Sequence, residues 1–321
     1  MADLKDSGIN PLGLGCSNFG KRCDAPTGRR IVRAAVDAGI NFFDVADVYG
    51  GGTAESILAD GLQGLRDEVF VATKFGHDTK GQGDARHRGG HPDNVMASAE
   101  ASLRALNTDY IDLFQLHQPD PEIPIADTMG ALSELVDAGK VRWIGCSNFS
   151  ISELEEARLG ALHHVTPGFQ SLQNEYSLVV RQPEKDVLPF CRDHELAFIP
   201  YFPLASGVLT GKYRQDQRVP NGSRVAAMKP DKLWRFFTPE ALGLVQVLAD
   251  YGEENGYTVL ELALGFLLAE ETVLSVISGA MSEEQVRENT AAATRAGNLS
   301  QDDISFLRSL SVESDKPSRA N

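Results

Sequence analysis

Three short apolar runs within the first 120 residues each end in a side chain able to do chemistry, and this pattern constrains the fold more than any other feature. The runs lie in NFFDVADVYGGGTAE (Asn41 to Glu55), VFVATKFG (Val69 to Gly76) and FQLHQPD (Phe114 to Asp120). They close on Asp44, Lys74 and His117, and Tyr49 follows the first within a glycine-rich loop. Titratable groups placed just beyond buried strands belong at the carboxyl edge of a sheet, where α/β proteins build their sites.

The rest of the chain repeats the strand–helix alternation. PLGLG (residues 11–15) reads as a first strand, and Pro26 to Gly39 as a helix with Pro near its start and Gly at its end. INFFD is the second strand, and Thr53 is expected to cap a helix carrying Ile57, Leu58 and Leu62. VFVATKF, continuously apolar up to Lys74, is the third. Residues 76–92 form a polar, glycine-rich loop of a length that is more often functional than idle. Helix 93–106, strand YIDLFQLH, helix 125–138, strand VRWIGCS, helix 151–161, strand FQSLQ, helix 186–194 and strand AFIPY follow. A second long connection, Phe202 to Phe237, leads to helices Pro239–Asn255 and Thr258–Glu270, strand TVLSVI, helix Glu283–Thr294 and a last helix over residues 300–310.

Strands alternating with helices imply parallel pairing through right-handed crossovers. Eight such units in 321 residues, with no Ser/Pro-rich linker between them, predict a single (β/α)8 TIM barrel domain spanning residues 1–321. No GxGxxG fingerprint with a following acidic residue succeeds the first strand, which argues against an open dinucleotide-binding sheet.

The formal charge of −15 argues against nucleic acid as a partner, while leaving room for a local basic pocket around one nucleotide. Cys16, Cys23, Cys146 and Cys191 form no CxxC and no metal-ligand spacing, so they are expected as free thiols in a reducing compartment. His77, His87 and His91 are irregularly spaced in glycine-rich sequence, and no metal is expected there. The N-terminus lacks a charged segment followed by an apolar one, and no apolar run approaches the roughly 20 residues that cross a bilayer. The expected location is cytoplasmic, with no membrane contact.

A lone Asp at a strand end is usually a helix cap, a lone Lys is usually solvated, and a lone His is usually structural. The four together point to chemistry. A phenol, with a reference pKa near 10, is a poor acid at neutral pH. A nearby ammonium favours the phenolate and lowers that pKa, and a carboxylate holds the ammonium charged and in place. Neutral imidazole can then donate a hydrogen bond to a carbonyl oxygen that gains charge on reduction. None of the four delivers hydride, which must come from a cofactor. Trp143, at a strand start, is expected to be packing, whereas Trp234, Phe236 and Phe237 are candidates for substrate contact.

At this point the sequence resembles the aldo-keto reductases over nearly its whole length, on FFDVADVYG, ATKFG, LHQPD, GCSNF, PLASGVLTGKY and EQVREN. PLASGVLTGKY resembles the branch of bacterial reductases and potassium-channel β subunits. The resemblance implies a catalytic tetrad of Asp44, Tyr49, Lys74 and His117, with Asp44 also at the cofactor, and a small aldehyde, ketone or sugar as substrate. It places Phe19 and Phe75 beside Tyr49 and His117 at the substrate. Ser147, Asn148 and Gln173 would hold the nicotinamide carboxamide, and Tyr201 would stack on its ring. Pro203, Leu204, Ala205, Gly207, Leu209 and Lys212 would wrap the pyrophosphate. Gly279, Ala280, Gln285, Glu288 and Asn289 would line the adenosine end.

Two positions depart from the family there. Many members have Pro where this chain has Ser278, and a basic or small polar residue where it has Met281. Methionine cannot neutralise a 2′-phosphate, so Lys212, Arg224 or Arg287 would have to do so. The expectation is NADP(H) in preference to NAD(H).

Overall fold

The computed structural model describes residues 4–77, 85–164, 168–214, 218–220, 223, 225–226 and 236–310. Arg224 and Trp234 lie outside the described residues. Eight strands run parallel: β1 (Leu12–Gly15), β2 (Phe42–Asp44), β3 (Phe70–Phe75), β4 (Ile111–Leu116), β5 (Val141–Ser147), β6 (Ser171–Gln173), β7 (Ala197–Phe198) and β8 (Val276–Gly279). They pair in chain order, and β8 pairs with β1. Phe198 closes the ring by accepting from Leu274 N and donating to Thr272 O, both at 2.8 Å. The (β/α)8 barrel expected from the alternation is the observed fold.

Helices lie between the strands: α1 (Ala25–Asp37), α2 (Ala54–Gly61), α3 (Pro92–Leu106), α4 (Ile125–Asp137), α5 (Ile151–His164), α6 (Val187–Asp193), α7 (Pro239–Asn255), α8 (Val259–Leu268), α9 (Glu283–Ala296) and α10 (Gln301–Ser309). Asp24 caps α1, Ser282 caps α9, and Thr258 with Glu261 forms a reciprocal capping box on α8. Thr53 does not cap α2 as expected; its hydroxyl donates to Gly50 O at 2.8 Å instead. The last strand also differs, lying at 276–279 rather than 272–277. Its paired register with β1, Leu12↔Val276 through Gly15↔Gly279, requires a close approach of backbones. A Cβ on Gly15 would meet Ile277 Cγ2 at 2.8 Å.

Alternation along the strands builds two layers inside the ring. Phe42, Phe70, Ala72, Leu113, Ala197, Ile199 and Ile277 fill the lower part, and Leu4 packs there from the N-terminal turn Leu4–Asp6. Trp143 packs against Phe70 at 5.4 Å between ring centroids, as a core residue should. The next inward position on four of the strands is polar: Asp44 on β2, Lys74 on β3, Gln115 on β4 and Gln173 on β6. Outward neighbours such as Phe43, Val71, Phe114 and Leu172 bury against the helices. One period-two pattern thus supplies both the apolar floor and the polar layer above it.

Candidate active site

Lys74 is fully buried and Asp44 is 4% exposed. The lysine Nζ donates to both Asp44 carboxylate oxygens, at 2.7 and 2.6 Å, and to Val45 O at 2.9 Å. Gln173 Nε2 adds a 2.9 Å bond to Asp44 Oδ1, and Gln115 Nε2 a longer one at 3.5 Å. Gln115 was not singled out from the sequence, although its inward register two residues before His117 marks it. A buried ion pair persists when every donor and lone pair is met, and here the strand ends meet them.

Tyr49 sits on a short turn, Tyr49–Gly51, pinned against the loop after β1. Gly50 takes φ 59°, and a Cβ there would lie 2.2 Å from Phe19 O, so only glycine permits the contact. That contact holds the phenol over Lys74, whose Nζ lies 5.1 Å from the Tyr49 ring centre. His117 meets Tyr49 edge-on, with ring centroids 5.8 Å apart, and His77 meets His117 likewise at 4.8 Å. The sequence alone offers His77 only as a metal ligand, not as a neighbour of His117. His91 caps α3, its Nδ1 accepting from Asp93 N.

The charges follow from burial. Burial alone would lower the lysine pKa, but the Asp44 carboxylate and the Tyr49 phenol more than offset it, so Lys74 stays charged. Burial pushes the Tyr49 hydroxyl upward, and Lys74 only partly counters that rise. The expected lowering of this tyrosine is therefore reversed in sign: desolvation outweighs the ammonium. Burial, then Lys74 and His77, pull His117 down to about 2, which keeps its imidazole neutral. Its Nδ1 is buried and meets no acceptor among the described residues. The single imidazole proton is then better held on Nε2. Asp47, two residues before Tyr49, is pushed to about 6 by burial and by Glu55.

The expected carboxamide residues converge beside this layer and are already tied together. Ser147 Oγ donates to Gln173 O at 2.7 Å. Asn148 Nδ2 donates to His117 O at 2.9 Å, and its Oδ1 accepts from the Tyr201 hydroxyl at 2.7 Å. Asn148 takes φ 63° and is held by Asn174 Oδ1 at 2.7 Å from its own N–H, a partner that the sequence reading missed. The segment from Phe202 to Gly211 carries φ values of 52° at Phe202, 46° at Ala205, 59° at Ser206, 93° at Gly207 and 80° at Gly211. The N–H groups of Ala205, Gly207 and Leu209 are used within the segment, donating to Phe202 O at 2.9 Å and to Leu204 O at 2.7 and 3.2 Å, which holds the left-handed residues in place. Lys212 Nζ lies 3.3 Å from where a Gly207 Cβ would be, so the ammonium roofs that turn. Pro203, Leu204 and Leu209 belong to this segment, with Leu204 and Leu209 buried as its anchors.

At the start of α9, Asn289 Nδ2 donates to Ser278 Oγ at 2.8 Å, and Gln285 Oε1 accepts from Met281 N at 2.8 Å. Gly279 is exposed and Ala280 buried in the intervening strand end, while Glu288 is exposed on the helix. Met281 is 39% exposed and touches Cys23 Sγ at 3.6 Å. Arg287 instead reaches Glu283, at 3.7 Å.

Two residues expected at the substrate, Phe75 and Phe19, are buried here. Phe75 is fully buried, directed outward from the barrel and stacked on Phe114 at 4.5 Å. Phe19 is also fully buried, and its ring packs where a Gly28 Cβ would stand 3.4 Å away. Strand alternation turns one toward the helices, and the β1 loop buries the other. Of the long-loop aromatics, Phe236 is buried against Phe202 and Phe237 packs on Tyr213. All four cysteines are free and buried. No helix among the described residues is long and apolar enough to cross a membrane.

Known proteins match this arrangement. The sequence model of the aldo/keto reductase family matches residues 11–312. The chain is 38% identical over 221 residues to aldo-keto reductase YhdN of Bacillus subtilis (strain 168), a match covering 66% of this chain and 64% of that protein. It is 33% identical over 279 residues to a probable voltage-gated potassium channel subunit beta of Arabidopsis thaliana, covering 85% and 84%. The glycerol dehydrogenase AKR11B4 from Gluconobacter oxydans superposes with a TM-score of 0.79 at 27% identity, over 94% of this chain and 91% of that one. The chain therefore belongs to the aldo/keto reductase family of NAD(P)H-dependent oxidoreductases that act on carbonyl groups.

Proposed function

We propose that this protein reversibly reduces an aldehyde, ketone or sugar carbonyl to the alcohol, with Tyr49 as general acid and, in the reverse direction, general base. The observation that carries this reading is the buried Asp44–Lys74 pair beneath Tyr49, flanked by a neutral His117. A phenol held protonated by burial can give its proton to an oxygen that becomes alkoxide-like, and the lysine charge 5.1 Å from its ring centre offsets the phenolate that remains. Asp44 keeps that lysine charged and fixed, and Gln173 and Gln115 keep Asp44 fixed. His117 Nε2–H orients the carbonyl oxygen without competing for the proton.

A bound reduced nicotinamide supplies the hydride. The residues fit such a group: Ser147, Asn148 and Gln173 would hold its carboxamide, Tyr201 would lie against its ring, and the left-handed turn with Lys212 would take its pyrophosphate. Ser278, Gly279, Ala280, Gln285, Glu288 and Asn289 would line the adenosine end. NADP(H) is the favoured cofactor, by a margin reduced by Met281. The protein acts as one domain in the cytoplasm on small molecules, with no nucleic acid as partner, in keeping with its charge of −15.

A second reading, a cofactor-sensing regulatory subunit, draws support from the similarity to the Arabidopsis potassium channel subunit beta. A panel of aldehydes, ketones and sugars assayed with NADPH and NADH separates the two. Turnover with at least one carbonyl supports the enzyme, and tight cofactor binding without turnover of any supports the regulator.

A further inference from the structure

Away from the barrel mouth, a groove of about 430 Å³ lies between α1 and α9 on the outer ring of helices. Four arginines line it: Arg29, Arg30 and Arg33 from α1, and Arg287 from α9. Only two carboxylates, Asp37 and Glu283, line it with them. A chain with a formal charge of −15 thus gathers four guanidinium groups in one concave place, against Asp37, Glu283 and the Asp60 that pairs with Arg29.

The contacts already present there are weak and shared. Glu283 serves both Arg30, at 3.0 Å, and Arg287, at 3.7 Å, with those side chains 59% and 66% exposed. Arg29 reaches Asp60 at 3.1 Å, and Arg33 donates to the main-chain Gln63 O. Exposed pairs of this kind hold their geometry loosely, so the guanidinium groups can turn toward a ligand. Guanidinium forks suit phosphate oxygens, which they bind through paired hydrogen bonds. Four such forks over a net excess of one positive charge suit a phosphate group, and the space exceeds that of one.

We infer that the α1–α9 groove is a binding site for a phosphate-bearing small molecule, separate from the substrate pocket and independent of the cofactor. Phosphate could reach the groove as a free ligand or as part of NADPH bound at the start of α9, and the two sources are distinguishable. Inorganic pyrophosphate is titrated calorimetrically into the full-length protein and into Arg30→Gln/Arg33→Gln, whose side chains are exposed, with circular dichroism as a fold control. Lys212→Gln serves as the comparison in the other phosphate-binding segment. The inference predicts saturable pyrophosphate binding that weakens by about tenfold or more in the double variant but persists in Lys212→Gln. It also predicts no competition with NADPH and an unchanged ratio of NADPH to NADH affinity. Competition with NADPH, or a selective loss of NADPH affinity in the double variant, would assign the groove to the cofactor and overturn the inference. So would an effect reproduced by sodium chloride at equal ionic strength, or wild-type pyrophosphate binding in the double variant.

Discussion

Lys74 Nζ and the Asp44 carboxylate, on adjacent strands and 30 residues apart in sequence, form a two-pronged buried bond at 2.7 and 2.6 Å. The pair lies where the apolar floor of the barrel gives way to polar side chains, and everything proposed for Tyr49 depends on it. Breaking one partner strands the other in a dry site.

Lys74→Met should accordingly destabilise the protein by about 3–5 kcal/mol, because it leaves Asp44 buried and unpaired. Asp44→Asn combined with Lys74→Met should cost less than the two single changes added together. Denaturant unfolding of the four proteins checks this, and simple additivity would mean that the pair is not energetically coupled.

The pH dependence of reduction follows from the direction of the Tyr49 shift. The protonated phenol is the active form, and its pKa in the cofactor-free protein lies above the ordinary tyrosine value. The rate of the proton-requiring step should stay level from neutral pH into the alkaline range and fall only beyond the usual value near 10. Lys74→Met should move that alkaline limb still higher, since the charge that favours phenolate is gone. A limb that moves downward, read from kcat/KM profiles, would contradict the coupling.

Asp47 provides a stability test with the opposite sense. Its folded pKa of about 6 lies above the ordinary carboxylate value, so the native state binds more protons than the unfolded one between roughly pH 4 and 6. Stability contributed by the neutral carboxyl is present at low pH and lost as pH rises through 6. Asp47→Asn should therefore raise Tm above pH 6, by an increment that shrinks toward pH 4. An increment independent of pH would show that the carboxyl is not the cause.

Much of this was legible in the sequence because two periodicities carry it. The two periodicities foretold β5 and α7 to the residue and twelve of the other elements to within two residues, and strand ends foretold which side chains meet. What the pattern could not carry were contacts made across loops. Phe19 meets Gly50 through its backbone oxygen, a relation that depends on how two loops pack. Likewise His77 reaches His117 from a loop without period, and β8 started later because ring closure at Val273 uses a single bridge. The sign of the Tyr49 shift also required burial, which residue type alone does not report.

At the adenosine end, Met281 offers no charge to a 2′-phosphate, and Gln285 already accepts from Met281 N. Met281→Arg should widen the preference for NADPH over NADH, and Arg224→Ala should narrow it and weaken its salt dependence. Fluorescence quenching by each cofactor gives the Kd ratios. Equal binding by the parent protein, or no gain in Met281→Arg, would favour NAD(H) and an aldose-type dehydrogenase.

Tyr49→Phe tests the central claim most directly, because it removes one hydroxyl and leaves the ring over Lys74. The measurement is kcat for a reducible carbonyl with saturating NADPH, alongside Tm and cofactor Kd. The account predicts an intact fold, unchanged cofactor affinity and a kcat lower by about 10²–10⁴, the range for losing a general acid. Turnover at the parent rate in Tyr49→Phe would contradict it.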